Sequence, residues 1–174
     1  MPPKKQIDKS FIIEKAFKMV QREGYEALTA RKLAKELNCS TQPIYQAFAD
    51  MKELKLELLK KAQEKMLNYI INISDNTEPL ELAYLLAYIR FAEEEKYLFQ
   101  FIFTSGGINL NAIYEQDTSN IQLDLNMIIY ANGIIMMLAF HSLEFSNEKI
   151  KSMLSHAYEL FESKKYSKSR GETL

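Results

Sequence analysis

TARKLAKELNCSTQPIYQAF, residues 29–48, reads as two short helices with a break at Asn38-Cys39. Thr29 is an N-cap candidate for a helix over 30–37, with Leu33 and Leu37 turned inward. Ser40 stands where the cap of a second helix, 41–48, is expected. Pro43 falls in the first turn of that helix, where a missing N–H matters least. At about 100° per residue, Ile44, Ala47 and Phe48 cluster on one side and Gln42 and Gln46 point nearly opposite. Tyr45 and Pro43 sit at the two edges.

The outward set has the chemistry that a nucleic-acid duplex requires. A glutamine amide can bond both N6 and N7 of adenine in the major groove. Tyrosine and threonine hydroxyls, and the free amides of a helix N-terminus, can hold phosphate oxygens. Arg31, in the first turn of the preceding helix, can reach a guanine edge or a phosphate.

Helical spacing continues on both sides of this stretch. Residues 9–22 place Ile12, Ile13, Ala16, Phe17 and Val20 on one face, and Gly24 is a natural stop. Asp50 followed by Glu53 is a capping-box pattern. It opens a long helix with Leu54, Leu58, Leu59, Ala62, Met66, Tyr69 and Ile70 on one side. Residues 72–79 (NISDNTEP) form the clearest linker. Beyond it come an amphipathic helix over 80–95, a short aromatic one over 97–104 stopped by Gly106-Gly107, and an ambiguous segment, 108–120. A helix over 121–143 is apolar nearly all round and is expected to be buried on more than one side. A last helix, 147–163, carries Ile150, Met153, Leu154, Ala157, Leu160 and Phe161 along a stripe, and the tail after it is polar.

These elements define an all-α chain, with a helix-turn-helix domain over 1–50 and a helical domain over 51–174. Five glycines and four prolines in 174 residues leave little punctuation for a many-stranded fold. The net charge of −1 hides a division. Residues 1–65 hold 14 Lys/Arg against 9 Asp/Glu, whereas residues 66–174 hold 8 against 14. A basic front joined to an acidic back suggests an anion-binding module attached to something else.

Other classes find less support. One cysteine, Cys39, excludes an intramolecular disulfide framework and fits a reducing cytosol, so a cytoplasmic location is expected. No signal peptide is visible. The longest apolar stretch, 127–140, contains Asn132 and Gly133 and falls short of the roughly 20 residues of a membrane span. His141 and His156 have no HExxH or CxxC partner, and Ser105-Gly106-Gly107 has no nucleophile-elbow context. No enzymatic activity, metal or cofactor is expected.

Residues 12–54 resemble the DNA-binding domain of the TetR family of bacterial transcriptional regulators. The residues that carry the resemblance are Ala16, Phe17, Gly24, Leu28, Thr29, Arg31, Leu33, Ala34, Leu37, Ser40, Tyr45, Phe48 and Leu54. The resemblance implies DNA contacts from Arg31, Thr41, Gln42, Tyr45 and Gln46, with Thr29 and Lys52 beside them. Three departures stand out. Asn38-Cys39 replaces the usual Gly-Val, and Ala47 replaces a frequent His. Met51 stands where a Lys usually opens the next helix; Lys52 follows one place later, and the amides of that helix N-terminus are expected to remain available.

The resemblance further implies a homodimer, with the helices 121–143 and 147–163 as the joining surface, on a palindromic double-stranded operator. It also implies a small-molecule effector, apolar or aromatic in part, whose binding releases a repressor from DNA. Tyr88, Phe91, Phe99, Phe103, Met127, Tyr130, Met137 and His141 are the candidate pocket residues. The same spacing of methionines and aromatics also reads as plain core. Cys39 likewise reads either as a small packed residue in the turn or as a thiol sensor. The alternative function is a helical protein whose helix-turn-helix serves protein contacts instead of reading DNA.

Overall fold

The computed structural model describes residues 7–72, 79–106, 124–139 and 145–169, with side chains to residue 162 in the last segment. Among them every regular element is helical. The order is α1 Lys9–Glu23, a 3-10 turn Tyr25–Ala27, α2 Ala30–Glu36, α3 Gln42–Ala47, α4 Met51–Asn72, α5 Leu80–Glu94, α6 Lys96–Ser105, α7 Leu125–Ala139 and α8 Asn147–Ser169. Most of the linker, the segment 108–120, both ends of the expected 121–143 helix and His141 lie outside the described residues.

By compactness the chain divides into two units. The first comprises Met1–Lys65 with Glu95–Ile108, the second Met66–Glu94 with Asn109–Leu174. This differs from a single cut near residue 50. Helix α6, distant in sequence, packs on α1 and so belongs to the first unit.

Helix α1 is the spine of that first unit. Asp8 caps it, its carboxylate accepting from the Phe11 amide at 2.7 Å. Ile12, Ala16, Phe17, Met19 and Val20 are buried, and the helix touches α2, α3 and α6. Met19 extends the expected stripe, while Ile13 is only half-buried. Gly24 ends the helix at φ 81°, a backbone state that favours glycine. A Cβ on Gly24 would lie 3.2 Å from Cδ1 of Tyr97 on α6, so the bare Cα also permits a close helix approach. Glu95, just before α6, accepts from Gln21 of α1 at 3.3 Å and pairs with Lys65 of α4. Tyr25 stacks on Phe101 of α6 at 4.7 Å, with Lys55 of α4 over the Tyr25 ring.

Helix α4 begins as its sequence predicts. Asp50 Oδ1 accepts from the amides of Lys52 and Glu53, and Glu53 Oε2 accepts from the Ala49 amide at 2.8 Å. Lys9 pairs with the same Glu53 at 2.9 Å, tying the start of α1 to the start of α4.

In the second unit α5 lies against both α7 and α8. Ten of its residues, Leu82, Leu85, Tyr88 and Phe91 among them, are buried. Glu81, a buried carboxylate, accepts from the Asp124 amide at 2.6 Å and so caps the start of α7. The roles of two helices are the reverse of the sequence expectation. The amphipathic-looking α5 is enclosed on most sides. The more apolar α7 buries one face, Met127, Ala131, Ile134 and Ile135, and leaves another open.

Two outcomes test this account. Gly24→Ala should destabilise the chain by about 1–2 kcal/mol in urea unfolding, since it meets both a positive φ and the Tyr97 ring. Glu53 is held below the usual carboxylate range, first by the Ala49 amide and then by Lys9. Its contribution is complete above its ordinary value of 4.5 and is lost as pH falls through the lowered native value. Glu53→Gln should therefore make the fall of Tm on acidification shallower.

Candidate nucleic-acid interface

Local capping defines the pair α2–α3. Thr29 is extended, and its hydroxyl oxygen accepts from the Lys32 amide at 3.2 Å, so it caps α2 as expected. The hydroxyl hydrogen stays free to donate outward. After Leu37 the chain turns through Asn38 at φ 53°. Asparagine tolerates this left-handed state better than any β-branched residue, which accounts for Asn38 where the TetR pattern has glycine. The amide of Cys39 then closes onto Ala34 O at 3.0 Å.

The start of α3 differs from expectation. The N-cap position is Thr41, not Ser40, and it makes no side-chain capping bond. Thr41 already has helical torsions, so its carbonyl accepts from the amides of Ile44 and Tyr45. The helix ends at Ala47, and Phe48 turns extended while remaining buried.

Helix α3 has the two-sidedness read from its sequence. Ile44 and Phe48 are buried and Ala47 is half-buried, whereas Gln42 and Gln46 are exposed and Tyr45 is 53% exposed. Thr29, Arg31 and Lys52 are exposed, and Thr41 is half-buried. Among the described residues, none pairs with the side chains of Arg31, Gln42, Tyr45 or Gln46. By contrast Lys9, Lys18, Arg22 and Lys65, on α1 and α4, all have carboxylate partners. Uncommitted donors with an open face are what a polyanion surface requires.

Two features were not singled out in the sequence. Lys35 lies four residues after Arg31, on the same exposed side of α2, and adds a second cation there; that spacing was the available signal. At the start of α4, the amides of Lys52 and Glu53 are taken by Asp50. Those two amides are therefore not free for phosphate, contrary to expectation, because a carboxylate two and three positions back satisfies them within the chain.

Residues 12–58 match the family model described as bacterial regulatory proteins, tetR family. The N-terminal domain is a TetR-family domain. It places a DNA-binding helix-turn-helix of a transcriptional regulator at the front of the chain. A solved member of the TetR family from Streptomyces coelicolor A3 has a similar fold, with a TM-score of 0.59 and 15% identity over 83% of this chain and 94% of that one. No curated protein matches the chain significantly. None of the described helices is long and apolar enough to cross a membrane.

The candidate pocket residues fall in both units. Phe99 and Phe103 of α6 belong to the first and stack on each other at 6.1 Å. Tyr88, Phe91, Met127, Tyr130 and Met137 belong to the second. Tyr88, Phe91 and Met127 are packed core there, and Met137 is exposed. The Tyr88 hydroxyl donates to Asn132 Oδ1 at 2.9 Å, and burial pushes its pKa up, so the phenol stays protonated. Cys39 is half-buried beside a cleft of about 570 Å³ that Phe11, Lys15, Glu36 and Asn38 help to line. Its thiol donates to the Ser40 carbonyl oxygen.

The turn offers a direct test. Asn38→Gly should leave stability unchanged or raise it by up to about 1 kcal/mol, and Asn38→Val should lower it by about 1–2 kcal/mol. Denaturant midpoints measured at equal m-value check both.

Proposed function

We propose that this regulator is a homodimeric repressor. It binds a palindromic operator through α2 and α3 of each copy and is released by a small molecule with an apolar or aromatic part. The observation that carries the reading is the set Arg31, Gln42, Tyr45 and Gln46, exposed and unpaired within a TetR-type helix pair. Gln42 and Gln46 read adenine edges, and Arg31 takes a guanine edge or a phosphate. Thr29, Thr41, Tyr45 and Lys52 hold the backbone.

The dimer reading follows from the size of the reading head. A recognition helix of six residues specifies few base pairs, and a two-fold pair doubles the site. The exposed apolar side chains of α7, with Leu160 of α8, supply a joining surface. The effector is assigned to the second unit, which holds the candidates Tyr88, Phe91, Met127, Tyr130 and Met137 together with the hydrogen-bonded pair Tyr88–Asn132. Its binding would change the spacing of the two reading heads.

Selection of bound duplexes from a random pool should return a near-palindrome with adenines at fixed positions in each half. Affinity for that duplex should fall with salt at a slope of about −0.9 per phosphate contact; a flat salt response would sink the DNA reading. Arg31→Ala should weaken binding strongly. Gln42→Ala and Gln46→Ala should each relax preference at one base pair, by about 1–3 kcal/mol if the contact is bidentate. Unchanged sequence preference in both variants would mean that α3 is not the reading helix.

A further inference from the structure

Lys9, in the first turn of α1, meets two other helices of its unit with one ammonium group. Its Nζ lies 2.9 Å from Glu53 Oε1, in the first turn of α4. The same nitrogen stands 4.8 Å from the centroid of the Phe48 ring, at the end of α3. Glu53 accepts from the Ala49 amide with its other oxygen, at 2.8 Å. Phe48 is buried, and Ala49 follows it directly. The contacts of Lys9 therefore converge on the residues that carry the chain out of α3, although 44 positions separate Lys9 from Glu53.

That exit matters for recognition. Gln42, Tyr45 and Gln46 lie before it and Lys52 after it. With α3 on base edges and Lys52 on the backbone, the turn over 48–50 sets the distance between the two kinds of contact. An exposed lysine on a basic unit is ordinarily assigned to a phosphate. Here the ammonium is already committed, because Glu53 neutralises it and the Phe48 ring lies against it. The Ala49 amide, and then Lys9, hold the Glu53 carboxyl below its usual range, so it stays ionised.

We propose that Lys9 is a positioning residue for DNA recognition: through Glu53 and Phe48 it fixes the exit of α3 and so aligns the base-reading side chains with the backbone contact of Lys52. The inference rests on the reading of α2 and α3 as the DNA surface, and it adds a residue outside that pair. The ion pair is open to water, its side chains 45% and 40% exposed, and this bounds the size of the effect.

The test measures binding of the full chain to the duplex returned by selection, and to a scrambled duplex, over a range of salt. Glu53→Gln keeps an oxygen for the Ala49 amide but ends the ion pair. It also removes a negative charge and releases the Lys9 ammonium, so charge alone predicts tighter binding. Positioning predicts the opposite, a loss of about two- to five-fold, the range that an exposed pair supplies. The loss should be seen on the selected duplex and be absent on the scrambled one. Lys9→Met should show a similar loss with the salt slope unchanged. Lys9→Arg, which keeps the charge and both contacts, should bind as the wild type does. The double variant should bind no more weakly than Lys9→Met alone. Equal or tighter binding by Glu53→Gln overturns the proposal. So does a salt slope lowered by about 0.9 in Lys9→Met, the mark of a lost phosphate contact. A wild-type chain that prefers no duplex over the scrambled one overturns the DNA reading itself, and this proposal with it.

Discussion

Helix α1 has to be apolar on more than one flank, and the first unit depends on that double burial. Ile12, Ala16 and Val20 lose all contact with solvent because α2 and α3 cover one part of the helix and α6 another. The recognition pair is too short to be stable alone. Helices of six and seven residues lie well below the roughly 12–15 at which an isolated helix becomes marginal in water. Their existence follows from packing Leu33, Ala34, Ile44 and Phe48 inward. The packing that forms α3 also fixes which of its side chains are left to face a ligand.

That division explains why so polar a surface can be offered without loss of stability. The inward residues carry the hydrophobic contribution, and among the described residues the side chains of Gln42, Tyr45 and Gln46 make no bond that binding would have to break. At the start of α4 the opposite arrangement holds. Asp50 accepts from the amides of Lys52 and Glu53 at the start of that helix, Glu53 accepts from the Ala49 amide before it, and Lys9 anchors Glu53. Two amides that could hold phosphate are instead capped by Asp50, and the Glu53 side chain joins α4 to α1 through Lys9.

The second unit poses a different problem. Its most apolar helix is not its most enclosed one. Helix α5 packs against both α7 and α8, which also pack on each other, and the polar contacts Tyr88–Asn132 and Glu81–Asp124 tie it to α7. Polar pairs of this kind inside an apolar assembly set register more than they add stability. Helix α7 keeps Leu125, Ile129, Met136 and Met137 exposed on an uncharged face.

Much of the first unit was legible in the sequence because its signals are local. Thr29 as a cap, Gly24 as a stop, the Asp50–Glu53 box and the inward placement of Ile44 and Phe48 all rest on spacings of three or four residues, which helical geometry converts directly into contacts. The exposure of Gln42, Tyr45 and Gln46 followed from the same rule. Local spacing also has limits: it points to Ser40 as a cap, whereas the helical torsions of Thr41 make that cap unnecessary, and it leaves the amides of α4 open, whereas Asp50 already holds two of them. What only the tertiary structure decided is pairing at long range. No local spacing says that Tyr97 lies over Gly24, that Glu95 joins Gln21 and Lys65, or that α5 is enclosed while α7 is not. Periodicity measures how apolar a helix face is. Which neighbour covers that face depends on the packing of the whole chain, and so on residues that the local pattern does not contain.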